Sequence, residues 1–378
     1  MPIKTPKRRM TNMDSSNSMK SAVKGVTKRV RKQKATVDSG LVSKINQLRE
    51  AAPFVKSVCF FNNKGGVGKT SLVANLAAQL GLNCGARVLV VDADPQCNLT
   101  QYVLSEDDFL DAYKNEGAAE SIYSVIHPLS VGKGYTSSLP IRNISKFGFD
   151  LVLGDPRLAL KEDLLAQDWR DARSGGTRGL RTTFVFSDLI KKADKYDFVF
   201  FDMGPSLGAI NRALLLSANY FVVPMSIDIF SLWAIQNISE AIRIWSRDIA
   251  TGLRLAEDPS ELDVLRATRL KFLGYVTQQH KERSESGSRR IVEAYNAISS
   301  KIPDEINSRL GEIFLSKKIQ PHLGDIKHLA SLAPKSQTLH VPMINVTAVG
   351  SYASMRKQAR SIYTAISEAF IDNLLKGA

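Results

Sequence analysis

The stretch Phe60-Phe61-Asn62-Asn63-Lys64-Gly65-Gly66-Val67-Gly68-Lys69-Thr70 limits this chain more than any other, because strand, glycines, lysine, threonine and helix agree on a phosphate-binding loop. The apolar run Val55–Phe61 leads in, and the helix-like Ser71–Leu80 leads out. The glycines let successive backbone N–H groups turn inward on an anion, and the helix start adds its positive dipole end. Lys69 places a charge near the terminal phosphates, and Thr70 offers a hydroxyl to magnesium. The chain is expected to bind a nucleoside triphosphate. The usual pattern G-x-x-x-x-G-K-[ST] asks for glycine at position 63, where Asn63 stands, and a second lysine, Lys64, precedes the glycine pair.

Such a loop needs a parallel sheet around it. Apolar runs recur at Arg87–Asp92, Phe149–Leu153, Tyr196–Asp202, Tyr220–Pro224 and Lys271–Thr277, each separated by enough chain for a crossover helix. This predicts an α/β fold with a doubly wound, mostly parallel sheet flanked by helices. Between Asp155 and Lys195, the break Ser174-Gly175-Gly176-Thr177 predicts two helices joined by a loop. A closing helix is expected from Ser351 to about Leu375, with Ile362, Ile366, Phe370 and Leu374 on one face. Leu41, Val42, Ile45 and Leu48 have the spacing of a short helix docking on the body. With 44% hydrophobic residues in 378, one large domain can bury its core.

Ligands in such sheets sit beyond the carboxyl ends of the strands, so Asp92, Asp94 and Asp202 are expected to face the phosphate loop. A magnesium–triphosphate site needs one carboxylate to hold a metal-bound water and another to orient the attacking water. Any one of these acids alone reads more readily as a helix cap or loop residue. Three at equivalent strand ends read as catalytic. Gly204-Pro205-Ser206 is a turn into a helix that could report the γ-phosphate.

Charge divides the chain. Of the formal +14, residues 1–50 hold 13 Lys or Arg against Asp14, Asp38 and Glu50, while the remaining residues carry 38 basic and 34 acidic side chains. Residues 1–40 are therefore expected to form a basic, disordered arm and residues 41–378 the folded domain. The arm reads either as a nucleic-acid-binding segment or as a solubilising tail or misassigned start. No apolar run reaches the roughly 20 residues of a membrane helix, and the N-terminus lacks a secretory h-region, so a cytoplasmic protein is expected. Cys59, Cys84 and Cys97 lack C-x-x-C spacing and read as reduced thiols.

The loop Lys64–Thr70, the run Val90-Val91-Asp92-Ala93-Asp94-Pro95-Gln96-Cys97-Asn98 and the run Tyr196–Gly208 together resemble the ParA/MinD family of deviant Walker ATPases, the ParA (Soj-like) branch in particular. Weaker likeness continues through Phe221–Met225 and Leu332-Ala333-Pro334-Lys335-Ser336, so the resemblance covers about residues 54–370. It implies a P-loop ATPase that holds ATP with Mg2+ through Gly65, Gly66, Val67, Gly68, Lys69, Thr70, Ser71 and Pro334. Thr70 and Asp202 would serve the metal, Asp94 would position the water, and Lys64 would reach a partner subunit's phosphates in an ATP-sandwiched homodimer. It also implies non-specific DNA binding, nucleoid association and a ParB-like partner that stimulates hydrolysis. Arg283 coincides with a DNA-contacting arginine of the family, and Arg289 and Arg290 lie near it. The arginines usual before Ala333-Pro334 are missing, leaving Lys327 in Asp325–Leu329. Plasmid or chromosome partition is the first functional expectation. A regulatory or defence module that recruits an effector is the second. The C-terminal helix, with Glu368 and Asp372, does not suit membrane attachment, and the cysteines do not suit a cluster-bearing reductase.

Overall fold

In the computed structural model, residues 37–114, 120–257, 270–278, 295–327, 329, 331–347 and 350–378 are described. Eight strands are formed: β1 (Lys56–Phe60), β2 (Val88–Ala93), β3 (Arg142–Ile144), β4 (Phe149–Val152), β5 (Phe198–Met203), β6 (Tyr220–Ser226), β7 (Lys271–Gln278) and β8 (His322–Ile326). They make one sheet in the order β3-β4-β2-β5-β1-β6-β7-β8, parallel throughout except for β3 against β4. The mostly parallel sheet matches expectation. The edge strands β3 and β8 were not foreseen.

The central strands are buried on both sides, and their residues alternate between two cores as a period of two requires. Val58, Phe60, Val88, Val90, Phe198 and Phe200 point to one core. Cys59, Phe61, Leu89, Val91, Val199 and Phe201 point to the other. The first core is covered by α1 (Ser39–Ala51), α2 (Lys69–Cys84), α3 (Asn98–Val103) and, from the far end of the chain, two helices described below. After α4 (Glu106–Tyr113), the second core is covered by α5 (Ile122–Ser130), α6 (Glu162–Arg173), α7 (Thr177–Thr183), α8 (Val185–Lys192), α9 (Ala209–Ser217), α10 (Ile229–Leu255) and α11 (Ile302–Leu310). The two late helices on the first core are α12 (Leu332–Leu339) and α13 (Ser351–Leu375).

Residues 155–195 correct the two-helix expectation: a 3₁₀ turn, Pro156–Lys161, precedes three helices, α6, α7 and α8. Packing between α6 and α7 is close at Gly179, where a Cβ would stand 2.3 Å from Ala172 N and 2.4 Å from Asp168 O. With no side chain there, α7 folds back onto α6, and the Gly179 N–H donates to Asp171 Oδ2 at 2.7 Å. At the chain's end α13 buries Ile366, Phe370 and Leu374 as expected, joined by Tyr363, with Ile362 half-buried. The Phe370 ring lies 5.8 and 5.7 Å from those of Phe198 and Phe200.

Helix α1 buries Leu41, Ile45 and Leu48 and leaves Val42 half-buried. It is also pinned by charge. Arg49 donates to both oxygens of buried Asp197 at 2.9 and 2.6 Å, and Arg87 adds its backbone N–H at 2.7 Å and its guanidinium at 2.9 Å. Burial alone would raise the Asp197 carboxyl, but these four donors outweigh it and hold the group far below the usual carboxylate range. The basic arm lies outside the described residues, save residues 37–40, of which Asp38 caps α1 and Ser39 and Gly40 open it.

Candidate functional site

Strand β1 stands between β5 and β6 while its successor β2 lies beyond β5, so a crevice opens at the carboxyl end of β1. The chain leaves β1 there and is tied down at once. Asn62 Nδ2 donates to Pro224 O at 2.8 Å, and Asn62 Oδ1 accepts the Lys64 N–H at 2.9 Å. Val67 is buried and anchors the far side of the loop. Gly66 and Gly68 take φ of 73° and 70°, the left-handed region that a side chain disfavours. No atom lies within 4 Å of where a Cβ would stand on Gly65 or Gly66, whereas the Gln278 amide from the end of β7 occupies that space at Gly68, 1.8 Å away. Helix α2 then starts with no side-chain cap and no acidic residue in its first turn. Its free N–H groups and dipole are left to an anion.

A cleft of about 660 Å³ lies over this loop, lined by residues 65–71 together with Asp94, Gln96, Asn98, Gln101, Tyr102, Pro205 and Gln337. Buried Lys69 bends back across the loop, donating to Asn62 O at 3.2 Å and Lys64 O at 3.3 Å. Its pKa is lowered by burial, against the attraction of Asp202 and Asp94. Asp94 stands at the cleft wall with Oδ1 accepting the Gln96 N–H at 3.0 Å. Across from it runs the Gly204–Ser206 turn, fastened by Asn211 Nδ2, which donates to Gly204 O at 2.8 Å and Ser206 O at 2.6 Å. Glu162 accepts the N–H groups of Ala209 and Ile210 and so caps α9 where this turn ends.

Asp202 and Asp92 are register partners on β5 and β2. Both Asp202 oxygens are buried without a hydrogen-bond partner, as is Oδ1 of Asp92. Burial and the Asp92 charge raise the Asp202 carboxyl well above its ordinary range, and the Thr70 hydroxyl and Lys69 oppose this only in part. Such orphaned anionic oxygens beneath a phosphate loop fit a cation. Among the described residues no cluster of three metal-ligating side chains is gathered. Asp92 departs from expectation: it does not line the cleft but accepts from Thr100 N at 2.8 Å and Thr100 Oγ1 at 2.6 Å. Burial pushes its pKa up to about 7 despite these bonds.

The other expected residues are dispersed. Lys64 turns away from the cleft and pairs with Asp228, the N-cap of α10. Pro334 is exposed at the start of α12 and does not line the cleft, whereas Gln337, one turn later, does. Tyr102 and Gln337 were missed from sequence. Their place follows from docking: Tyr102 OH hydrogen-bonds Ser336 Oγ at 2.6 Å, and His340 Nδ1 contacts Tyr102 O at 3.1 Å, which fixes α12 on α3. Lys327 is exposed just past β8. Arg283, Arg289 and Arg290 lie outside the described residues. The cysteines are all free and buried. Among the described residues no helix is long and apolar enough to cross a membrane.

A family model described as an AAA domain matches residues 55–255, just over half of the chain. A Thermus thermophilus protein named "Probable plasmid-partitioning protein ParA" is 32% identical over 193 residues, which are 51% of this chain and 52% of that protein. The "Chromosome-partitioning ATPase Soj" of Treponema pallidum is 26% identical over 204 residues, 53% of this chain and 68% of that one. The matched stretch thus spans only about half of the Thermus relative. Among solved structures, a Corynebacterium diphtheriae protein superposes with a TM-score of 0.61 at 30% identity over 76% of this chain and 97% of its own. The ATP complex of Cyanothece McdA, at 17% identity, shares the fold with a TM-score of 0.55 over 84% of this chain and 96% of that one.

Proposed function

The chain belongs to the AAA-domain family and is similar to the ParA/Soj partition ATPases, and from this premise we propose that it is an ATP-driven switch that dimerises on nucleotide, binds DNA without sequence preference and positions a DNA cargo. A ParB-like partner protein would stimulate hydrolysis, and the protein would work in the cytoplasm on the nucleoid. The observation that carries this reading is the division of labour in the loop: residues 65–71 line the cleft, while Lys64 is not among its lining residues and pairs with Asp228.

The backbone N–H groups of residues 65–70 and the Lys69 ammonium hold the triphosphate and meet the charge that moves toward its bridging oxygen as the terminal phosphoryl leaves. Magnesium, when bound, would be held by Thr70 and Asp202 and would neutralise phosphate charge. Asp94 Oδ1 is engaged by Gln96, so Oδ2 remains to orient a water in line and receive its proton. Pro205, in the Gly204–Ser206 turn, lines the same cleft, and the turn would register whether the terminal phosphate is there. Lys64 would complete the site of a second subunit. DNA would be held by the basic arm together with Arg283, Arg289, Arg290 and Lys327.

The test is whether purified protein retains non-specific duplex DNA with ATP but not with ADP. Lys64→Ala should still bind nucleotide yet stay monomeric by light scattering. An ATP dimer of undiminished affinity in Lys64→Ala would refute the cross-subunit role.

A further inference from the structure

Lys64 is held in place by a residue that the phosphate loop does not contain. Asp228 divides its carboxylate between two tasks: Oδ1 accepts the Ser231 N–H at 3.0 Å and caps α10, and Oδ2 pairs with the Lys64 ammonium. The two side chains are 29% and 32% exposed, so the pair is neither buried nor free in solvent. The Lys64 ammonium also lies 5.9 Å from the centre of the Phe230 ring, and Phe230 packs edge-on against Trp233 at 5.5 Å. Ile229, Phe230 and Trp233 are 44%, 59% and 56% exposed. The backbone of Lys64 is meanwhile fixed, its N–H donating to Asn62 and its carbonyl accepting from Lys69. Only side-chain rotation is left to Lys64, and Asp228 governs it.

We propose that Asp228 is a positioning residue for Lys64: in the lone subunit the ion pair within one chain parks the lysine at the foot of α10, and a partner's triphosphate must outcompete Asp228 to recruit it. The inference rests on the cross-subunit role proposed for Lys64. It adds a threshold to that role. One carboxylate offers a single negative charge, and a diphosphate lacks the terminal group that would best draw the ammonium across. Breaking the pair costs the same in either case, but a triphosphate returns more of that cost than a diphosphate does.

Asp228→Asn isolates the effect, because asparagine caps a helix as well as aspartate and keeps the shape while removing the charge. The dimer dissociation constant with ATP, measured by sedimentation or light scattering across protein concentration, should fall about four- to twenty-five-fold, the square of the two- to five-fold worth of one partly exposed ion pair, because each of the two subunits gives up its pair. The difference from the parent should shrink as salt is raised, since screening weakens the pair only where it exists. Asp228→Glu should restore the parental value, and monomer affinity for a fluorescent ATP analogue should be unchanged throughout. A folded Asp228→Asn protein that dimerises no more tightly than the parent, or less tightly, overturns the proposal. Lys64→Ala separates the two levels. If it dimerises like the parent, the cross-subunit role fails. If it stays monomeric while Asp228→Asn shows no gain, only the parking role fails.

Discussion

Asp94 and Gly68 show how single residues in this site divide chemistry from shape. Removing the Asp94 carboxylate leaves Lys69, Thr70 and Asp202 in place, so Asp94→Ala should bind ATP normally and accumulate as an ATP-bound dimer. Turnover should fall by a factor of about 100 or more in an assay that includes DNA. Parental turnover would make Asp94 structural. Gly68→Ala asks a different question, because it meets two obstacles at once: a φ of 70° and the Gln278 amide in the space of the new methyl group. Thermal unfolding should show a loss of roughly 1–3 kcal/mol, the range for a strained backbone, together with weakened ATP binding. Adding Gln278→Ala should return the part owed to the clash and leave the part owed to φ. At this scale residues that are neighbours in the chain, such as Gly65 to Thr70, come together at one cleft as their order suggests. Contacts with a distant partner leave no such mark in the sequence. Nothing near Lys64 in sequence points to Asp228, and nothing near Asp92 distinguishes a cleft-facing carboxylate from one turned to Thr100.

Elements were legible in proportion to how fully they are buried. The strands β1, β2, β4, β5, β6 and β7 begin and end within one or two residues of the apolar runs, because strands covered on both faces are apolar at every position. Strand β3 has only Ile144 buried, and β8 only Leu323 and Ile326 around a glycine with φ of 146°, so neither carries that pattern. The folding back of α7 onto α6 depends on Gly179, whose missing side chain permits the close approach and which periodicity does not record. Helix α1 was visible from Leu41, Ile45 and Leu48, but the clamp that holds it was not. Asp197→Asn should destabilise the fold by about 2 kcal/mol, the scale of hydrogen bonds to a charged group. The depressed carboxyl stabilises the folded state wherever it is ionised. The loss should thus be full above pH of about 5 and vanish as pH falls well below about 4, where unfolded aspartate is protonated. Urea melts of parent and variant at several pH values check this, and a difference independent of pH would show that the clamp works by shape alone.

For the whole molecule, charge and chain order matter most. Residues 1–34 carry 11 basic side chains. If about half engage duplex DNA at once, deleting them should flatten the log–log salt dependence of binding by several units, since each phosphate contact adds about 0.9. Arg283→Ala should flatten it by only about one unit. The deletion should also sharpen the dependence on ATP, because the arm's charge is the same in every nucleotide state. Unchanged slope and affinity after deletion would leave DNA binding to Arg283 and its neighbours. Chain order sets another limit. Strand β2 finds its partner β4 soon after both are made, but β1 pairs only with β5 and β6, Lys56 opposite Phe198 and Val58 opposite Tyr220. During synthesis the loop that gives this protein its ligand must wait unsupported while some 160 further residues emerge, on the order of ten to thirty seconds at ordinary elongation rates. Until Pro224 arrives to receive Asn62, the ribosome-bound chain has phosphate-loop residues but no phosphate site. Nucleotide can assist folding only after β6 is complete, and a chain truncated before it should refold no better with ATP than without.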